Sequence, residues 1–243
     1  MTTFPASSAE EALTGRVRVN LDLVRQRIAA VGRNPDDVRV VAVTKSFGPE
    51  AVRAAAAAGL DDVGENYVAE LEVKRHQTGS LGLSWHFLGA LQSNKIARVS
   101  RVADVIESVS RPKEVTRLAH DAPGAAICVE VDITGRAGRG GVAPDAVAAL
   151  VALGRAQGLE VRGLMTVAPP DEAGAREAFT TVRALADRLG LVERSMGMSD
   201  DFELACRLGA TEIRLGRVLF GERVPAAKPS PNIGGLDSGE ESA

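Results

Sequence analysis

The chain has 243 residues, of which 45% are hydrophobic and 3% aromatic, and its net charge is -3. This length and apolar content allow a substantial core, arranged as one large domain or two small ones. The slight acidity and the few aromatic rings argue against a nucleic-acid surface, which needs clustered basic residues and stacking rings. We therefore expect a small-molecule site and no nucleic-acid partner.

The N-terminal residues 1–15 lack the apolar run of a signal peptide. No uncharged apolar stretch of the sequence approaches the ~20 residues that cross a bilayer. We therefore expect a cytoplasmic protein with no membrane partner. Cys128 and Cys206 form no C-x-x-C motif, so they are interpreted as ordinary buried thiols and no metal site is expected.

The predicted elements begin with an amphipathic helix over residues 8–32, with Ser8 and Glu11 at the spacing of a capping box. The chain then alternates short apolar runs with helical segments. The predicted strands and following helices are RVVAVTK and 49–58, DDVGEN and 67–76, SWHFLG and 93–102, DVIESV and 111–120, AICVEVDI and 144–157, EVRGLMTV and 171–189, RSMGM and 200–208, and EIRLG and VLFGERV.

Eight strand-helix units behind one extra N-terminal helix predict an α/β fold, a single (β/α)₈ TIM barrel over residues 8–223. An open doubly wound sheet is the alternative, because a sequence does not show closure. The tail 224–243, rich in Pro, Gly, Ser and Glu, is predicted to be disordered. In a barrel the site lies at the carboxyl ends of the strands, so the polar residues that follow each apolar run become the candidates.

The strongest local signal is SMGMSDDFELA, residues 195–205, where a strand ends in a Gly and Ser turn before a helix. Backbone N–H groups at such a turn are suited to a phosphate, although Ser199 followed by acids is also ordinary helix-capping chemistry. The next strand repeats the pattern with Gly216. Loops after strands seven and eight are the usual phosphate site of these barrels, so we favour phosphate binding.

Lys45 ends the first apolar strand, VVAVTK. A lysine amine must be neutral to attack a carbonyl, and burial can lower its pKa from about 10.4 toward 7. Lys45 is therefore a candidate Schiff-base former, and a side chain that extends to solvent is the alternative.

Three further motifs favour structural interpretations. Gly138 and Gly140 in GRAGRGGVAPD resemble a dinucleotide turn, but the helix is predicted to begin only at Pro144, so we predict a mobile basic loop. His86 is interpreted as a hydrogen-bonded residue of a buried strand. The carboxylates of Glu130 and Asp132 are expected to face the barrel interior in ion pairs with arginines.

A lysine on strand one and a phosphate cradle at strands seven and eight are what a pyridoxal 5'-phosphate (PLP) site requires. The ordered motifs VTKSF, GENYVAEL, WHFLGALQSNK, GLMTV, SMGMSDDFELA and RLGRVLFGER resemble the pyridoxal phosphate homeostasis proteins of the YggS/PROSC type. The resemblance implies a barrel like the N-terminal domain of alanine racemase, with PLP held as an internal aldimine. The cofactor-binding residues that it implies are Lys45 as the Schiff-base lysine, Asn66, Ser195, Gly197, Met198, Ser199, Arg214, Gly216 and Arg217.

Within this resemblance, Arg214 corresponds to the partner of the pyridine nitrogen, where an arginine weakens the electron sink that most PLP enzymes need. Two positions depart from the family pattern. Arg217 stands where many members have a threonine, which leaves its backbone N–H for the phosphate. The loop GRAGRGG lacks the lysine that commonly precedes the glycine.

The resemblance implies a role in intracellular vitamin B6 homeostasis, by buffering or delivery of PLP, with no catalytic residues and no turnover. Its partners would be PLP and PLP-dependent apo-enzymes, and we expect a monomer. The alternative is a PLP-dependent amino-acid racemase, but such enzymes of this fold take a tyrosine from a second domain, and Tyr67 is the only tyrosine here. A Schiff-base aldolase that acts on a sugar phosphate is a third possibility.

Overall fold

Eight parallel strands close into a barrel in chain order in the computed structural model, which describes residues 7–136 and 139–222. The strands are β1 (Arg39–Val43), β2 (Asp62–Glu65), β3 (Ser84–Phe87), β4 (Val105–Val109), β5 (Ala126–Glu130), β6 (Glu160–Met165), β7 (Glu193–Ser195) and β8 (Glu212–Leu215). β1 pairs with β8, with Val41 opposite Arg214, so the sheet has no open edge. The predicted TIM barrel is confirmed, and the open doubly wound sheet is wrong.

Helices surround the barrel, and one of them precedes the first strand. They are α1 (Ser8–Ala30), α2 (Pro49–Ala57), α3 (Val68–Thr78), α4 (Ile96–Val102), α5 (Pro112–Asp121), α6 (Val147–Ala156), α7 (Glu172–Leu189), α8 (Phe202–Arg207) and α9 (Arg217–Phe220). The extra N-terminal helix is therefore confirmed. Over the described ranges, none of these helices combines the length and apolarity of a membrane span. The predicted tail, 224–243, lies outside the described residues.

The apolar face of α1 recurs in steps of four and three residues, with Val17, Leu21, Val24 and Ile28 all buried, as expected for the predicted amphipathic helix. The predicted cap is one residue too late, because the capping box uses Ser7 and Glu10 instead of Ser8 and Glu11. The sequence SSAEE contains the S-x-x-E spacing twice. Only the extended backbone of Ser7, with ψ of 155°, decides which serine caps the helix.

Several helices begin later than the sequence predicts. Residues 93–95, 144–146 and 199–201 form turns, and the helices after them begin at Ile96, Val147 and Phe202. In a sequence, polar turn residues are easily taken for the start of a helix, because the same residue types favour turns and helix caps. At the carboxyl ends of the strands, these turns leave more backbone outside the helices than the sequence predicts.

The barrel has an apolar outer layer and a polar interior. Apolar residues of the strands and of the surrounding helices form one buried cluster between the barrel and the helices. Inside the barrel the structure instead buries charged side chains, among them His86, Glu107, Glu212 and Arg214. Buried charges need partners, so these groups must form a network.

The expected ion pairs of Glu130 and Asp132 are wrong. Within the described part of the chain neither carboxylate lies within 4.0 Å of a basic group. The carboxylate of Glu130 faces Gly140, where an added Cβ would lie 2.9 Å from Oε1. Asp132 Oδ1 instead accepts from the N–H and hydroxyl of Thr134, at 2.8 and 2.7 Å. Both acids therefore contact the loop after β5, of which residues 137 and 138 lie outside the described residues.

Candidate functional site

A cavity of about 510 Å³ opens at the carboxyl ends of the strands. Most residues predicted for the site line it, together with neighbours from β1, β6 and the loops after β3 and β8. The predicted residues that line the cavity are Lys45, Asn66, Met198, Ser199, Arg214, Gly216 and Arg217. The structure therefore brings together residues separated by as many as 172 positions in the sequence, because parallel strands place their carboxyl ends at one end of the barrel.

Lys45 directly follows the buried end of β1. Val43 is 7% exposed and Thr44 is fully buried, whereas Lys45 is half-buried and lines the cavity. The Thr44 N–H donates to the carbonyl of Gly64 at 3.0 Å, which extends the pairing with β2 up to the residue before Lys45. The lysine therefore starts from a fixed strand end, as the apolar run VVAVT predicts.

The turn after β7 requires glycine at Gly197. Its φ is +101°, and an added Cβ would lie 2.6 Å from the Cβ of Ala205. The Gly197 carbonyl accepts from the N–H of Arg214 at 2.9 Å, and Asp201 Oδ1 accepts from the N–H of Met198 at 2.6 Å. Gly197 therefore shapes the turn from below and is not itself a lining residue.

The turns after β7 and β8 meet at the cavity. The N–H of Val218 donates to the hydroxyl of Ser199 at 3.3 Å, and Arg217 forms an ion pair with Asp200. The backbone N–H groups of Ser199, Asp200, Gly216 and Arg217 donate to no group within ranges 7–136 and 139–222. Four such donors beside one cavity suit an anion with several acceptor oxygens, such as a phosphate.

Asn66 provides a polar atom without a partner on another side of the cavity. Its Oδ1 is buried and accepts no hydrogen bond from the residues that the structure describes. A buried acceptor without a donor costs free energy, about 1 to 3 kcal/mol. A ligand hydroxyl at this position would remove that cost, which fits the assignment of Asn66 to the cofactor-binding residues.

Arg214 is held by a chain of buried hydrogen bonds that we call the barrel network, comprising Asp62, His86, Glu107, Ser195 and Arg214. Arg214 Nη1 donates to the hydroxyl of Ser195 at 2.6 Å, and that hydroxyl donates to Glu107 at 2.5 Å. Glu107 contacts His86 Nδ1 at 2.6 Å, and His86 Nε2 contacts Asp62 at 3.0 Å. Ser195 therefore lies beneath the cavity with its hydroxyl occupied and is not one of its lining residues.

The pKa values of the barrel network indicate alternating charges. Burial opposes a charge on His86, but the carboxylates of Asp62 and Glu107 outweigh it and raise its pKa to about 10. Burial alone would raise the pKa of Glu107, but the contacts with His86 and Arg214 outweigh burial and lower that pKa. The network is therefore an imidazolium between two carboxylates, with the Arg214 guanidinium at its end toward the cavity.

His86, Glu107 and Glu212 place ligand atoms within 4.8 Å of one another, a spacing that a metal ion could use. Positive charge is already present there, because Arg39 Nη1 lies 3.2 Å from Glu212 and Arg214 Nη1 lies 3.9 Å from Glu107. We therefore assign the three residues to a buried polar network, in which burial and the neighbouring Glu107 raise the pKa of Glu212 to about 8. The interpretation of His86 as a hydrogen-bonded core residue is confirmed.

Sequence reasoning missed two charged residues close to the site. Glu107 lies in the middle of the apolar strand VIESV, and Lys74 lies on α3 at the spacing of its buried residues Val68, Leu71 and Thr78. Lys74 is 3% exposed and contacts Glu65, which is fully buried. A charge at an apolar position of a periodic pattern was the available signal for both, because it must have a buried partner.

Other polar residues at strand ends have structural contacts. The hydroxyl of Ser108 donates to the carbonyl of Gly89 at 2.5 Å, and that of Thr166 donates to the carbonyl of Val131 at 2.9 Å. Cys128 and Cys206 are buried, and burial raises the pKa of both thiols, as expected for structural cysteines.

Comparison with known proteins places the chain in a family. The sequence model of the family described as "Alanine racemase, N-terminal domain" matches residues 16–224. The pyridoxal phosphate homeostasis protein of Pseudomonas aeruginosa is 40% identical over 209 residues, which cover 82% of this chain and 91% of that protein.

Two solved structures resemble the fold. PipY of Synechococcus elongatus, solved with PLP bound, matches with a TM-score of 0.75 at 34% identity, over 84% of this chain and all of that one. Alanine racemase from Corynebacterium glutamicum matches with a TM-score of 0.65 at 20% identity, over 88% of this chain and 62% of that one, and shares the fold alone. With the family match and the 40% identical relative, the chain belongs to the pyridoxal phosphate homeostasis proteins, within the alanine racemase N-terminal domain family.

Proposed function

We propose that the protein binds PLP covalently on Lys45 and acts in PLP homeostasis, by buffering or delivery of the cofactor. One observation carries the proposal: Lys45 lines the same cavity as four residues whose backbone N–H groups donate to no group in ranges 7–136 and 139–222, namely Ser199, Asp200, Gly216 and Arg217. The pyridoxal phosphate homeostasis protein of Pseudomonas aeruginosa and the PLP-bound structure of PipY support it.

Each end of the cavity has a role toward the cofactor. The Lys45 amine would form a C=N bond with the aldehyde carbon of PLP, and the aldehyde oxygen would leave as water. The phosphate would accept from the N–H groups of Ser199, Gly216 and Arg217, on turns that Gly197 and Met198 help to shape. The unpartnered Oδ1 of Asn66 would accept from the cofactor's hydroxyl.

Arg214 would direct the cofactor away from catalysis. When bound, PLP stabilises a carbanion best with a protonated ring nitrogen, and an arginine beside that nitrogen disfavours the proton. Arg214 is 5% exposed, and its guanidinium donates to the hydroxyl of Ser195 and to the carbonyl of Thr166 at 2.8 Å, so its position is fixed. This is a reason to expect storage of the cofactor in place of turnover.

The racemase alternative needs a second acid-base group opposite Lys45. Among the described residues that line the cavity, the titratable ones are Lys45, Asp200, Arg214, Arg217 and Glu222, with no tyrosine or histidine. Tyr67 is 60% exposed at the start of α3 and is not a lining residue. We therefore propose a protein without turnover. We further propose, as the sequence predicts, that it is a cytoplasmic monomer that buffers PLP or delivers it to PLP-dependent apo-enzymes.

The test is attachment of PLP to Lys45. We expect the protein mixed with PLP to absorb visible light, and borohydride reduction to leave a stable adduct on Lys45 in a peptide map. Lys45→Arg keeps the positive charge but a guanidinium cannot form the Schiff base, so adduct formation at this position should be lost completely. An adduct confined to other lysines would contradict the proposal. Exchange of the α-proton of alanine in deuterated water beyond the rate of free PLP would favour the racemase instead.

A further inference from the structure

We infer that Lys74 and Glu70 of α3 are positioning residues that fix the turn carrying Lys45 for attachment of PLP. The two residues, which we call the turn clamp, are not lining residues of the cavity. They act through the backbone on either side of Lys45. The inference rests on the proposed function and adds the residues that aim its lysine.

Lys45 occupies a strained turn. The N–H of Phe47 donates to the carbonyl of Thr44 at 3.0 Å, which makes Lys45 and Ser46 the two central residues of a four-residue turn. Ser46 has φ of +66°, the only residue other than glycine with a positive φ in the described ranges. A residue keeps this conformation only where its surroundings fix it, and such strain is often found at functional sites.

Lys74 holds the peptide group before Lys45. Its Nζ donates to the Thr44 carbonyl at 2.7 Å, to Glu65 Oε1 at 2.6 Å and to Glu70 Oε2 at 3.1 Å. An ammonium has three protons to donate, so the three contacts use all of them. Glu65 and Glu70 already balance the charge of Lys74, so the bond to the Thr44 carbonyl is an additional constraint on the turn.

Glu70 holds the peptide group after Lys45. Its Oε2, the atom that pairs with Lys74, also accepts from the N–H of Ser46 at 2.9 Å. One ion pair therefore binds the carbonyl on one side of Lys45 and the N–H on the other. Both hydrogen bonds involve a charged group, which makes them stronger than bonds between neutral groups. The backbone of Lys45 cannot turn without losing one of them.

The expected consequence is a faster attachment reaction, not tighter binding of the phosphate. In the reaction Nζ of Lys45 forms a C=N bond with the aldehyde carbon, and both amine protons leave with the aldehyde oxygen as water. The proposed contacts of PLP with Asn66 and with the turns after β7 and β8 would position the aldehyde, so the rate would depend on where the turn places the amine. Misplacement by about 1 Å can slow a reaction about 100-fold.

The experiment separates the rate of attachment from binding. Rates are followed by the absorbance of the protein mixed with PLP, and affinity is measured with pyridoxine 5'-phosphate, which has no aldehyde. We expect Glu70→Ala and Lys74→Met to slow attachment by about 10- to 100-fold and to change the affinity for pyridoxine 5'-phosphate less than about threefold. Glu70→Gln keeps an acceptor oxygen for the Ser46 N–H, so it should recover most of the rate.

Glu72→Ala is the matched control. Glu72 lies on the same helix with its side chain 34% exposed, against 33% for Glu70, and it forms an ion pair with Arg98 away from the turn. This variant should attach PLP at the wild-type rate. The turn clamp is disproved if Glu70→Ala also keeps that rate, or if rate and affinity fall together in both clamp variants. Absence of a Lys45 adduct in the wild type would instead refute the proposed function.

Discussion

Two polar networks support two different parts of the cavity. The barrel network holds a side chain, because Arg214 ends a chain of side-chain hydrogen bonds through Ser195 to Glu107. The turn clamp holds backbone, because Lys74 and Glu70 bind the peptide groups on either side of Lys45. One network therefore fixes a group beside the cofactor, and the other fixes the point from which the covalent bond is made.

The two networks also differ in the pKa of the buried carboxylate that each of them contacts or contains. Glu107 and Glu65 are both fully buried carboxylates. His86 and Arg214 overcome burial and lower the pKa of Glu107, whereas for Glu65 burial outweighs the contacts with Lys74 and Thr44 and raises the pKa. The barrel network depends on its negative charge, and the carboxylate next to the clamp can take up a proton at lower cost.

The largest expected effect tests this difference with matched variants, Glu107→Gln and Glu65→Gln. Loss of the Glu107 charge leaves the His86 imidazolium and Arg214 with less compensation, so we expect the free energy of unfolding to fall by about 3 kcal/mol. Burial already raises the pKa of Glu65, and Glu65→Gln keeps the size of the side chain. This variant should therefore lower the free energy of unfolding by only about 1 kcal/mol. Urea denaturation at pH 7 measures both, and equal losses would remove the distinction between the networks.

A smaller effect is expected from pH. Because the folded protein raises the pKa of His86 from 6.5 to about 10, its stabilising contribution is complete below about pH 6.5 and is lost as pH rises toward 10. The free energy of unfolding should fall by on the order of 2 kcal/mol between pH 7 and 9. The matched variant His86→Gln should show a flatter profile over this range when measured by denaturation. A parallel decline in both proteins would mean that His86 is not the titrating group.

The sequence predicts the barrel and the cavity well for a physical reason. Apolar strands followed by helices allow few folds, and the carboxyl ends of parallel strands meet at one place. Lys45 and Gly216 could therefore be assigned to one site although 170 residues separate them. The first residue of α1 is harder to predict, since in SSAEE both Ser7 and Ser8 have a glutamate at the spacing of a capping box.

The sequence does not predict the networks beneath the cavity. Glu107 and Ser195 form a hydrogen bond although they are 88 positions apart in the sequence. The residues around each of them give no indication that the other is its partner. The family resemblance places Ser195 among the cofactor-binding residues, and the structure adds that its hydroxyl donates to Glu107 and accepts from Arg214 inside the barrel. The alternation of side chains along a strand decides such directions. For Glu107 the shift in the pairing of β4 with β5 between Ile106 and Val109 obscures that alternation in the sequence.

The smallest expected effect separates the tasks of the two networks through Ser195→Ala. The variant removes the hydroxyl between Arg214 and Glu107, but those two groups remain 3.9 Å apart and still attract each other. We therefore expect a loss of only about 1 kcal/mol in the free energy of unfolding. The guanidinium would be less well oriented, so affinity for pyridoxine 5'-phosphate should fall a few-fold while the rate of attachment to Lys45 stays within about twofold of wild type. This is the reverse of the pattern expected for Glu70→Ala. A slowed attachment in Ser195→Ala with unchanged affinity would show that the barrel network, and not the turn clamp alone, aims the lysine.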